Sequence, residues 1–291
     1  MKEKIKVLLP VISFLSIVII ASLMIYKPLA KESIIFFPID DKAFYKSAKT
    51  NINLEDIKKK PYQIDWKISS TLSQVAYLRQ DISFLFMNGI LKAKMSKWEQ
   101  NTDEIIEEKT VEGKESSLIE AISFHYSEIH ETEDDITSSQ KMSEDQLYVI
   151  DSNFHPLTTF QKPSNKNEEE WKSTLDRVTK QQLDYSWNKV IMENQIDLNQ
   201  YIQMPLTALS SYNDSPLNGF TPEQWKFVVG NLWEGLYKNY FLGIKKQDGT
   251  VVESVGSTIP LLLFHKNKKE LLVITTTKDG ESVLLKQALP F

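Results

Sequence analysis

Residues 7–26 read VLLPVISFLSIVIIASLMIY, an apolar run without a charge, with Lys2, Lys4 and Lys6 before it. At a rise of about 1.5 Å per residue such a helix is about 30 Å long, the thickness of a bilayer's hydrocarbon core. The run exceeds the short apolar core of a cleaved signal, and Pro28-Leu29-Ala30 lacks the A-x-A form of a cleavage site. The pattern predicts an uncleaved transmembrane helix. Three lysines before the span against Lys27 and Lys31 after it set residues 1–6 in the cytoplasm, by a narrow bias. Residues 27–62 then read as a stalk, and the rest as a domain outside the cell.

Along that stalk, Asn53 followed by Glu55 and Asp56 predicts a short helix start, closed by Pro61. Leu72, Val75, Ala76, Leu78 and Ile82 fall at three- and four-residue steps and predict a helix over 69–81. The period then changes. Ile82, Phe84 and Phe86 alternate with their neighbours, Asn88-Gly89 supplies a hairpin turn, and Leu91, Ala93 and Met95 alternate on the return. Residues 102–111 suit an edge strand, and Leu118, Glu120, Ile122, Phe124 and Tyr126 share one face of another, with Ser123, His125 and Ser127 opposite. Residues 130–146 are polar and predict a loop; 147–160 predict a second hairpin with Pro156 at a sheet edge.

A helix follows over 168–193, with Trp171, Leu175, Val178, Leu183, Trp187, Val190 and Ile191 on one flank. Thr221-Pro222-Glu223-Gln224 is a strong helix start: a capping Thr, Pro at the first helical position and Gln completing a capping box. The chain ends in a meander punctuated by Asp248-Gly249 and Asp279-Gly280. The expected fold class is α+β, a transmembrane helix followed by antiparallel sheet with helices packed on one side. A β-rich part over 63–165 is joined to helices and meander over 166–291, with 161–170 as the candidate boundary if these are two domains rather than one.

Composition narrows the function classes. The chain carries −5, of which residues 1–31 contribute +4, leaving −9 on the remainder. That argues against nucleic acid as a partner. Only Arg79 and Arg177 stand against 32 lysines, which weakens any site built to clamp phosphate bidentately. Nine glycines, without G-x-G-x-x-G or a P-loop, make a nucleotide cofactor unexpected. Without cysteine there is no disulfide, thiolate nucleophile or Cys-ligated metal. Anchor, lysine-rich composition and absent cysteine together resemble the surface of a Gram-positive-type bacterium.

Candidate chemistry is sparse. Ser138-Ser139-Gln140-Lys141, Ser211-Tyr212-Asn213 and Lys278-Asp279-Gly280 follow the order of penicillin-binding enzyme motifs. The third has Asp where Thr belongs, and Ser138 lies in a polar run rather than at a buried helix start. Imidazole plus carboxylate suits a divalent metal, which nominates His125, His130 and Glu131. Five residues along a strand, however, put the two rings on opposite faces and about 16 Å apart. The acidic run 128–135 lacks the glycine and alternating ligands of a calcium loop. The aromatic stripe is the best binding hint, with Trp225, Trp233 and Tyr237 as candidates, since indoles in a groove stack on sugars or peptides. The same spacing fits core packing.

The sequence reading is therefore a single-pass membrane protein, bound to the bilayer through residues 7–26, that binds or scaffolds in the cell envelope. A membrane or cell-wall protein is the expected partner, and no cofactor, nucleotide or nucleic acid is expected. An envelope hydrolase with dispersed residues and an accessory or sensor subunit are the alternatives.

Overall fold

Alternation governs more of the chain than its sequence declares. The computed structural model describes residues 36–56, 61–132, 135–152, 155–246 and 249–291. Six strands form the first sheet: β1 (Tyr45–Asp56), β2 (Tyr62–Met87), β3 (Ile90–Gly113), β4 (Ser117–His130), β5 (Ile136–Ser152) and β6 (His155–Phe160). All its pairs are antiparallel, in the order β1-β2-β4-β5-β6, with β3 along the other side of β2. The turn between β2 and β3 is the expected one, with Asn88 at φ 49° and Gly89 at φ 79°.

β2 is shared between two partners. Its first half pairs with β1 and its second half with β4, and the register against β3 slips between Thr71 and Ala76. Such a bulge bends a strand and increases its twist. The sheet accordingly folds over itself, and Ile64, Trp66 and Ile68 share a core with Leu85, Met87, Ile119, Leu147 and Val149. β1 meets β5 through side chains: the Ile52 N–H donates to Asp145 Oδ2 at 2.7 Å, and Thr50 Oγ1 lies 2.6 Å from Ser143 Oγ. The result is a nearly closed, barrel-like sheet.

The outer face of that barrel carries Phe84, Phe86, Phe124 and Met142 into a second, larger core. Two helices, α1 (Lys166–Glu193) and α2 (Pro222–Leu236), contribute to it. So does a second antiparallel sheet of β7 (Tyr201–Pro205), β10 (Leu261–His265), β11 (Glu270–Thr276) and β12 (Ser282–Ala288), after the short β8 (Ile244–Lys245) and β9 (Val251–Val252). The start of α2 is as expected: Thr221 Oγ1 accepts from the Gln224 N–H, and Gln224 Oε1 accepts from the Thr221 N–H.

Several expectations are corrected. The molecule is mostly antiparallel β (52%) with 24% helix, rather than sheet with helices layered on one side. Residues 69–81 are strand, because the bulge shifts the inward-facing positions from even to odd numbers and imitates a helical step. Residues 53–56 belong to β1, and 136–146 belong to β5. The single-pass cell-membrane location and its orientation are not supported either. Among the described residues no helix is long and apolar enough to cross a membrane. Helix α2, at 15 residues, is about 22 Å long, and α1 is studded with charge. Residues 7–26, which carried that reading, lie outside the described residues.

Candidate functional site

The site is built on an edge. β6 pairs with β5 only from Tyr148 to Ser152, so the earlier part of β5 has no strand laddered to its backbone on that side, β1 meeting it through side chains. Hydrogen-bonding directions alternate along an antiparallel pair, so Ser138, Gln140 and Met142 turn their backbone N–H and C=O groups away from β4. Two of the three are satisfied by other means.

Ser138 is covered by a strap formed by residues 36–41. Ile39 makes a parallel bridge to it: the Ser138 N–H donates to Pro38 O at 2.7 Å, and the Asp40 N–H to Ser138 O at 2.8 Å. Ser138 Oγ donates to Phe37 O at 2.6 Å. Phe36 packs edge-on to Phe227 at 5.6 Å and sits against Gly230, where a Cβ would overlap its ring. The strap then leaves the edge because Asp40 holds it in a turn. Asp40 Oδ1 accepts from the Lys42 N–H at 2.8 Å, and Asp40 O accepts from the Ala43 N–H at 3.3 Å.

Met142 is capped by a side chain that imitates a peptide. Asn213 Oδ1 accepts from the Met142 N–H and Asn213 Nδ2 donates to Met142 O, both at 2.9 Å. Gln140 lies between the two caps, and its backbone N–H and C=O have no partner among the described residues. Its side chain is fixed separately, with Nε2 donating to Lys226 O at 2.9 Å.

This edge opens on a cleft of about 260 Å³ between the strap, β5, the turn at Tyr212–Asp214 and α2. Phe124, Trp225 and Val229 contribute apolar wall. The rim carries both signs of charge: Lys141 Nζ lies 2.7 Å from Asp214 Oδ1, and Lys226 Nζ 3.0 Å from Asp41 Oδ1. These are exposed pairs, of little value to stability and free to exchange partners with a ligand.

Of the residues nominated from sequence, Trp225 reaches this cleft, though it is buried and its indole N–H donates to Tyr212 O at 2.9 Å. Trp233 is interior, stacked between Phe124 at 5.0 Å and Phe84 at 5.9 Å, and Tyr237 is buried against Phe241. His125 and His130 lie on opposite faces of β4. His130 stacks on Tyr77 at 3.9 Å and bonds Glu128, and Glu131 is exposed. No group of three potential ligands is placed to hold a metal ion among the described residues. Ser138 and Lys141 have different partners, Phe37 and Asp214, and make no nucleophile–base pair.

Sequence reasoning missed the most polar feature of the barrel interior. Asp81 Oδ2 lies 2.6 Å from His125 Nδ1, and His125 Nε2 lies 2.8 Å from Ser143 Oγ. The order Asp–His–Ser is that of an acyl-transfer triad. The setting is not. Ser143 sits mid-strand with its own backbone groups turned toward Ser123 of β4, so no free N–H beside it can stabilise an oxyanion. Its hydroxyl is shared with Thr50, and the cleft does not reach it. Asp81 also accepts from Ser70 Oγ at 2.6 Å and faces Arg79 Nη2 at 3.9 Å, while Arg79 Nη1 donates to Asp103 O at 2.6 Å. Arg79, Asp81 and His125 are wholly buried. The group is a charge-compensated polar core. Burial raises the phenol pKa of Tyr45, whose ring lies 5.1 Å from the Arg79 guanidinium.

No protein-family model, curated protein or solved structure matches this chain.

Proposed function

We propose that this protein acts by binding, and that its ligand occupies the cleft between the strap, the edge of β5 and α2. The observation that carries the reading is the unpartnered backbone of Gln140, held between two satisfied neighbours in a cleft with apolar walls and a rim of both charges. Ligand sites combine such apolar surface with a few polar groups of fixed direction. Binding is favoured over hydrolysis because the hydroxyl that meets a histidine, Ser143, lies away from the cleft and lacks oxyanion donors.

The test is a panel of small ligands of separate classes, capped peptides, N-acetylated amino sugars and nucleosides, titrated into isotopically labelled protein. The expected result is that one class shifts the amide signals of Gln140, Lys141, Asn213 and Lys226 together. If every class leaves these four signals unmoved, the reading is refuted.

A further inference from the structure

We infer that the cleft reads a peptide backbone, taking an extended segment of about three residues whose central residue pairs with Gln140. The inference rests on the binding reading above and names its ligand class. Three observations bear on it.

First, the same edge already holds peptide in cis. The strap satisfies Ser138 through the backbone of Pro38 and Asp40, as an added strand does when a peptide extends a sheet. Second, Asn213 meets Met142 with a side-chain amide in the same two-bond pattern, which shows what the next outward position accepts. Third, the interval between these two caps has the right length. Ser138 and Met142 are four residues apart, about 13 Å in extended chain, which leaves room for one paired residue and its two flanking peptide groups.

Direction of the side chains follows from the pairing. Residues opposite one another across a sheet share a face. The ligand residue opposite Gln140 therefore projects to the α2 side, where Phe124, Trp225 and Val229 form apolar wall. Its neighbours project toward the other face, where Lys141 lies. An apolar central residue with small neighbours fits this arrangement, and the two rim ion pairs can receive the charged ends of an uncapped peptide.

The experiment compares Ac-Gly-Phe-Gly-NH2 with its analogue N-methylated at Phe, titrated into the wild-type chain and followed at the Gln140 amide. N-methylation removes the donor to Gln140 O and alters no residue of the protein. Losing that bond and leaving the carbonyl unpaired weakens binding by about tenfold or more. If the parent peptide shifts Gln140 and the analogue binds at least tenfold more weakly, the inference stands. If both bind equally, the cleft binds peptide without reading its backbone, and the inference falls while the binding reading survives. It falls in the same way if sugars or nucleosides shift the cleft and peptides do not. If nothing shifts it, both fall.

Discussion

Removing the Asp81 carboxylate tests whether the barrel interior is as dry as its side chains imply. Asp81 accepts from Ser70 and His125 and faces the Arg79 guanidinium, and Asp81, Arg79 and His125 have no exposed surface. Asp81→Ala leaves Arg79 buried with its charge uncompensated, and such a loss costs about 3–5 kcal/mol. Domain stabilities are about 5–15 kcal/mol, so the loss is a large fraction of the total. A domain of this size loses about 2–4 °C of Tm per kcal/mol, which gives a fall of about 6–20 °C. Arg79→Met/Asp81→Asn removes both charges and nearly keeps the volume, and is expected to recover at least half of the loss. Equilibrium urea unfolding followed by circular dichroism measures all three proteins. A loss below about 1 kcal/mol for Asp81→Ala, the worth of an exposed pair, would refute the buried-pair reasoning.

Other substitutions probe the remaining layers. Gly230→Ala places a methyl group in the ring of Phe36, so the strap is expected to undock, read as faster amide exchange over residues 36–41 with the barrel strands unchanged. Trp233→Ala empties the stack between Phe84 and Phe124 and is expected to cost about 3–5 kcal/mol in urea unfolding. Burial first, then the charges of Asp176 and Glu144, raise the pKa of Glu120 above its ordinary value. The folded state then holds the proton more tightly than the unfolded chain, so the contribution is full below the unfolded carboxylate pKa and is lost as pH rises through the folded one. Glu120→Gln is expected to raise the urea midpoint at neutral pH and to flatten its decline as pH rises above the ordinary carboxylate range, and an unchanged slope counts against this.

What could be read from sequence was local. Asn88-Gly89 fixed its hairpin and the Thr221 capping box fixed the start of α2, because each signal is complete within four residues. The apolar stripe of α1 was legible in part from its helical period: Leu175, Leu183, Trp187 and Val190 are buried, whereas Val178 is exposed. β5 was not, because Thr137, Ser139 and Ser143 on its barrel-facing side are polar, Lys141 of the same parity reaches out to Asp214, and no apolar alternation shows. The parity change across the bulge in β2 hid a 26-residue strand in the same way. Trp225 stands out in sequence as an aromatic of interest, but the cleft beside it is invisible there. Its edge needs Pro38 and Asn213 brought to β5 from about 100 and 71 residues away, and no local pattern encodes that meeting.

Amide hydrogen exchange at Gln140 is the most direct measurement of the claim that an open backbone edge makes this cleft a binding site. In the free protein the Gln140 amide should exchange much faster than those of Ser138 and Met142, and saturating Ac-Gly-Phe-Gly-NH2 should slow it selectively. A Gln140 amide already as protected as its two neighbours, or one that stays fast when the peptide is saturating, would contradict the account.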